Sequence, residues 1–262
     1  MSSYRFDCLD ARERERGISR AAVSVSEGLL VVVPTDSAYA VGTDAFSHEG
    51  IELLARARGR WQAPPVLVAH GRTLDGLASE VSQRVRDLAE AFWPGGLTLV
   101  CRAQRTLSWE LGEDTGTVAL RMPLHPVALA LLEKTGPLAM TGANRPGTEF
   151  AAVPTTCDAA REALGTAVDV YLDAGPMTRA TLSTVVDGSD PDAPPRVLRV
   201  GAVPLDALRA VVPDLDTSAI EPADEQAAEP VDEPVDEPVD EPLGEPMDQS
   251  MERAAQEREA AG

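Results

Sequence analysis

Residues Leu29 to Val33 form an unbroken apolar run, LLVVV, that ends at Pro34. Such a run, rich in β-branched side chains and without polar alternation, fits a strand covered on both faces. A partly solvated strand would alternate instead. Pro34 has no N–H to give to a ladder, so pairing is expected to stop there. Thr35, Asp36 and Ser37 then emerge at the strand's carboxyl end, where open α/β sheets collect ligands. A plain turn, with Asp36 bonding its own backbone, accounts for the same three residues. The run therefore speaks to the fold before it speaks to function.

Helical and strand patterns alternate along the rest of the chain. Helices are expected over Ala11–Glu27, ended by Gly28, and from a Ser47 cap to Gly59. Further helices are expected before Trp93, from His125-Pro126, over Thr155–Leu164 and over Leu205–Val211. Strands are expected over Val66–Ala69, Leu97–Arg102, Thr117–Arg121, Pro137–Thr141, Val168–Asp173, Leu182–Asp187 and Arg196–Arg199. Pro94-Gly95-Gly96 turns the chain into the second of these. The last strands follow one another without helices between them. The expected fold is thus a single α/β domain, α+β-like, with a twisted mixed sheet and flanking helices.

Composition narrows the function classes. The chain has 262 residues, enough for one substantial core, and no apolar run long enough to cross a membrane. Its N-terminus is charged and lacks an apolar signal core. Cys8, Cys101 and Cys157 are odd in number and widely spaced. They argue against a disulfide framework or a zinc site and fit a cytoplasmic protein. His48, His70 and His125 show no metal-ligand spacing, and no metal site is expected.

The net charge of −20 is unevenly spread. Residues 217–262 hold 15 acids and two arginines, which leaves a net of −7 on the remainder. That balance gives no support to a basic surface for double-stranded RNA or tRNA. Five tetrads, EPVD, EPVD, EPVD, EPLG and EPMD, fill Glu229 to Asp248. Proline at every fourth position and mutual repulsion of the acids oppose both helix and packing. Residues 1–215 are expected to fold, and 216–262 to form a disordered acidic tail.

The candidate chemistry is cationic. Arg56, Arg58 and Arg60 end the second helix, followed by Trp61 and Pro64-Pro65. One cation there would complement the helix dipole. Three point to a polyanion, because guanidinium groups grip phosphate oxygens in bidentate fashion. Arg121 and Arg199 end strands. Met140-Thr141-Gly142-Ala143-Asn144 follows an apolar strand with small residues that let backbone approach a ligand. Ser183 and Thr184 place hydroxyls on opposite faces of one strand. There is no G-x-S-x-G elbow, no P-loop and no G-x-G-x-x-G. An enzyme built this way has no nucleophile of its own and works by positioning anionic reactants and neutralising their charge.

Taken together, VVVPTDSAY, the arginine cluster, AFWPGGLTLV, GTVALRMPLHPVA, PLAMTGAN, VYLDAG, LSTVVD and RVLRVG resemble the YrdC-like family of L-threonylcarbamoyladenylate synthases, in its actinobacterial branch. The resemblance runs from about Phe6 to Val211 and leaves out the tail. It implies a concave cationic cleft in which L-threonine, bicarbonate and ATP, the last with Mg2+, yield threonylcarbamoyl-AMP and pyrophosphate. The product would feed a tRNA-modifying threonylcarbamoyl transferase. Carried over by position, the ATP-binding residues would be Arg56, Arg58, Arg60, Thr117, Gly142, Asn144 and Arg199. The threonine-binding residues would be Ser37, Arg121, Met140 and Ser183.

This chain departs from the family pattern in four places. Ser37 replaces a threonine, and Tyr39-Ala40 replaces a Tyr-Gly pair. Arg56 stands for a lysine, which keeps the charge and changes its geometry. Gly142 stands for a serine and removes a hydroxyl. A paralogue that binds nucleotide or RNA without turnover is the alternative from another class. A carbamoyl-transfer domain of the hydrogenase-maturation kind is disfavoured, since the zinc-finger cysteines of those chains are missing.

Overall fold

The LLVVV run is buried from both sides. In the computed structural model, which describes residues 3–59, 63–107, 111, 116–145, 153–177 and 181–220, strand β2 covers Val31–Pro34. Val31 and Val33 join one apolar cluster, while Leu30 and Val32 join another. Side chains alternate across a strand, so an all-apolar run requires cover on both faces. Helices α1 (Ala11–Ser26) and α5 (Pro126–Thr135) contribute to the first cluster. Helices α2 (His48–Arg58) and α6 (Cys157–Leu164) contribute to the second.

The remaining strands are β1 (Tyr4–Asp7), β3 (Tyr39–Asp44), β4 (Val66–Leu67), β5 (Leu97–Arg102), β6 (Thr117–Arg121), β7 (Leu138–Gly142), β8 (Val170–Asp173), β9 (Thr184–Asp187) and β10 (Arg196–Arg199). They form one mixed sheet in the order β1-β8-β2-β3-β7-β4-β6-β5-β9-β10. Parallel pairs join β1 to β8, β2 to β8, β4 to β6 and β5 to β9, and the other neighbours are antiparallel. Helices α3 (Leu74–Leu77), α4 (Gln83–Phe92) and α7 (Leu205–Val211) belong to the half of the molecule around β5, β6 and β9. No described helix is long and apolar enough to cross a membrane.

Local signals place many of the ends. Ser47 caps α2 by accepting from Gly50 N–H, and Gly59 closes it at φ +64°. His125 caps α5 through a ring nitrogen that accepts from Val127 N–H. Burial of His125 lowers its pKa, in keeping with this acceptor role.

Two strands depart from the sequence expectation. After Pro34 the chain turns straight back as β3, antiparallel to β2, before reaching α2. Small residues and the lack of alternation in YAVGTD hide this strand, because both its faces are covered. Charged residues in YRFD hide β1, an edge strand with only β8 beside it.

The chain stays engaged past Leu215. Val197 N–H donates to Asp216 O at 2.8 Å, and Asp216 N–H donates to Pro195 O at 3.0 Å. Ile220 packs against the core. The EPVD-type repeats lie outside the described residues.

Candidate active site

The hairpin between β2 and β3 builds one wall of a cavity of about 390 Å³. Its turn is shaped by Thr35. The Thr35 hydroxyl donates to Ala38 O at 2.7 Å and accepts from the N–H groups of Ser37 and Ala38. Asp36 is therefore not needed for the turn, contrary to the plain-turn reading, and reaches across it. Its Oδ2 accepts from Arg121 Nη2 at 2.7 Å and its Oδ1 from Leu124 N–H at 3.0 Å. Ser37 Oγ accepts from Arg121 Nη1 at 2.9 Å. Arg121 Nε donates to Gly95 O at 3.1 Å, so the turn at Pro94-Gly95-Gly96 helps to hold the guanidinium.

Ser183 and Arg199 close the far side. Arg199 Nε and Nη2 donate to Ser183 O at 3.1 and 2.9 Å, and Nη2 also reaches Ser183 Oγ at 3.2 Å. Burial, and then the neighbouring Arg121 cation, lower the Arg199 pKa. Two guanidinium groups near one another in a partly dry space favour an anion between them.

Arg58 is a third cation in the wall, only 4% exposed, and its Nη1 donates to Asn144 O. Met140, Thr141 and Gly142, at the end of β7, line the cavity as well. No described residue of the wall is acidic. The same lining has an apolar part, with Ile51, Leu54, Pro64, Pro65 and Leu67. An acidic protein has thus gathered arginines and hydroxyls around one cavity. Its geometry suits a ligand with an anionic part and a flat apolar part.

Seven of the residues singled out in the sequence meet in this wall: Ser37, Arg58, Arg121, Met140, Gly142, Ser183 and Arg199. Asn144 lies behind it, buried, with its carbonyl on Arg58. Thr117 is not in the described wall. It starts β6, about 13 Å along the strand from Arg121. Arg56 also misses the cavity. Residues two apart on a helix point about 200° from one another, so Arg56 turns outward, 71% exposed, and pairs with Glu52 at 2.6 Å. Arg60 and Trp61 lie outside the described residues. Thr98 is a wall residue that carried no local signal, since threonine inside a strand is ordinary β composition.

Among the described residues no group of three or more His, Cys, Asp or Glu side chains is placed to hold a metal ion. The cysteines are buried, and burial pushes their thiols up to about 12. None of them belongs to the described wall.

Comparison with known proteins finds relatives over most of the chain. The Sua5/YciO/YrdC family model, which carries the description "Telomere recombination", matches residues 24–201. A Mycobacterium tuberculosis protein named for threonylcarbamoyl-AMP synthase is 44% identical over 209 residues, which is 79% of this chain and 94% of that protein. Pyrococcus abyssi Sua5, solved in complex with L-threonine, superposes with a TM-score of 0.71 at 29% identity. That match covers 82% of this chain and 62% of the archaeal one. Escherichia coli YciO gives a TM-score of 0.68 at 25% identity, over 79% of this chain and 100% of that one. A family model matching residues 24–201 and a relative 44% identical over 79% of the chain have one reading: the chain belongs to the Sua5/YciO/YrdC family.

Proposed function

We propose that this protein is a threonylcarbamoyl-AMP synthase that joins L-threonine, bicarbonate and ATP and releases pyrophosphate. The observation that carries the proposal is the cavity itself, in which Arg58, Arg121 and Arg199 face a space without a described acidic lining residue. The name of the mycobacterial relative and the threonine in the archaeal structure support the same reading.

The chemistry asks for no protein nucleophile. Threonine's amine adds to carbon dioxide derived from bicarbonate, forming an N–C bond and losing a proton. A carbamate oxygen then attacks the α-phosphorus of ATP. The bond from that phosphorus to the bridging oxygen breaks, and pyrophosphate leaves with the electron pair. Arg58 and Arg199 are assigned to the phosphates, and Arg121, Ser37, Ser183 and Met140 to threonine. The apolar wall suits the adenine ring. What the protein contributes is alignment and charge neutralisation, which act most strongly where charge develops.

Magnesium bound to ATP supplies further neutralisation of the triphosphate. Asp36, beside the cavity, is committed to Arg121 and Leu124. The ion is therefore read as arriving with the nucleotide, as part of the substrate. The product would pass to a threonylcarbamoyl transferase that modifies tRNA, and the net of −7 outside residues 217–262 gives no support to direct binding of RNA by this chain.

Pyrophosphate release from ATP, measured with and without L-threonine and bicarbonate, tests the proposal. Release that requires both is expected. Nucleotide binding without turnover would favour the non-catalytic binder.

A further inference from the structure

The Ser183 hydroxyl is held entirely from inside the protein. Thr98 Oγ1 donates to Ser183 Oγ at 2.9 Å, and Arg199 Nη2 donates to the same oxygen at 3.2 Å. A serine oxygen accepts through two lone pairs and carries one proton. With both acceptor positions taken, what remains for this hydroxyl is to donate. Ser183 belongs to the cavity wall, so the cavity is where that proton can go.

The backbone fixes the pairing. Strands β5 and β9 run parallel, with Thr98 opposite Val185. Thr184 N–H donates to Gly96 O at 2.9 Å and brings the residue before β9 alongside the start of β5. Thr184 turns its own hydroxyl to the other face, where it donates to Val203 O at 2.7 Å. Thr98 is 5% exposed and Ser183 8%. A buried hydroxyl is unfavourable unless it is bonded, and valine would pack in a strand equally well. The Thr98 hydroxyl therefore has a specific task.

We infer that Thr98 is a positioning residue for the amino-acid substrate: it commits Ser183 to donate its proton to an acceptor oxygen of that substrate. The inference rests on the functional reading above, in which Ser183 meets threonine. Ser37 is arranged differently: its oxygen accepts from Arg121, and Thr35 Oγ1, whose own proton is spent on Ala38 O, lies 3.1 Å away to take the Ser37 proton. The committed Ser183 donor beside the guanidinium groups of Arg121 and Arg199 matches the oxygens of an amino acid and not its ammonium.

The test uses Thr98→Val, which keeps the volume and removes the hydroxyl, and Thr98→Ser, which keeps the hydroxyl. Thr98→Ala replaces the valine variant if that one does not fold. Pyrophosphate release is measured with threonine and ATP titrated separately, and threonine binding is measured by calorimetry without turnover. Thr98→Val should raise the KM for threonine about three- to tenfold, as expected for one neutral hydrogen bond, and move the KM for ATP less than twofold. Thr98→Ser should restore the wild-type value. In a Ser183→Ala background Thr98→Val should add nothing, since the two residues act as one unit. An unchanged threonine KM, or an equal rise in the Ser183→Ala background, overturns the inference. Failure of serine to restore function also overturns it, as a purely structural role would then suffice. A wild-type protein that binds threonine but releases no pyrophosphate overturns the functional reading instead. Weaker calorimetric binding to Thr98→Val would still support the role of Thr98.

Discussion

Arg121 and Asp36 form an ion pair at 2.7 Å, with side chains 9% and 17% exposed. They lie 85 positions apart in the chain. One partner ends a central strand and the other sits in a hairpin turn two strands beyond β4. The pair orients a guanidinium whose other nitrogens hold Ser37 Oγ and Gly95 O.

Arg121→Ala should impair saturation by threonine far more than saturation by ATP. Asp36→Asn should act in the same direction and less strongly. Two donors converge on the Asp36 carboxylate, whereas an amide offers one acceptor oxygen and turns an N–H₂ toward the other donor. Steady-state kinetics with each substrate varied in turn would show this. Equal losses for both substrates would give Arg121 a structural role at the strand end.

Arg58→Ala should raise the apparent Kd for ATP at least tenfold, in line with ~1.5–3 kcal/mol for a hydrogen bond to a charged group. Arg56→Ala should change it less than twofold, because that side chain faces solvent and Glu52. Nucleotide titration calorimetry on both variants, with thermal melts as a folding control, separates them. A comparable loss from Arg56→Ala would mean that the helix end moves when nucleotide binds.

Gly142 is not held at a positive φ, so backbone strain does not bar a side chain there. Space does limit one: a Cβ would stand 2.9 Å from Asn144 Oδ1 and 3.1 Å from Val153 Cγ1. Gly142→Ala should therefore shift the Asn144 side chain and lower turnover. Gly142→Ser carries the same crowding and adds a donor where charge redistributes as pyrophosphate leaves. Its kcat should exceed that of the alanine variant about fivefold or more. Equal values for the two would show that Thr141 already supplies the hydroxyl.

Truncation should discriminate between two end points. A chain ending at residue 222 should keep the wild-type Tm, because the acidic repeats have little apolar surface to bury. A chain ending at Leu215 should melt several degrees lower. It loses Asp216, whose backbone bonds both Pro195 and Val197, and the packing of Ile220. Differential scanning calorimetry of the two chains would decide, and identical melts would mean that the 216–220 segment adds nothing.

Sequence alone determined the helix ends at Ser47, Gly59 and His125, all the strands but β1 and β3, and the cationic character of the site. An all-apolar run demanded a strand covered on both faces, Ser47 and Gly59 marked the ends of α2, and strand-terminal arginines marked a cationic site. These are local signals, written in side-chain periodicity, capping chemistry and charge. The tertiary structure decided which of those charges share one space. Arg56 and Arg58 are near neighbours in the chain, yet helix geometry sends one to solvent and the other into the wall. Arg121 meets Asp36, and Thr98 meets Ser183, only because the sheet order brings β6 and β9 alongside β5 and folds the β2–β3 hairpin toward them. β3 itself escaped notice because burial on both faces removes the alternation that reveals a strand. Hydrogen-bond polarity was out of reach for the same reason: which hydroxyl donates depends on partners that only the folded sheet supplies.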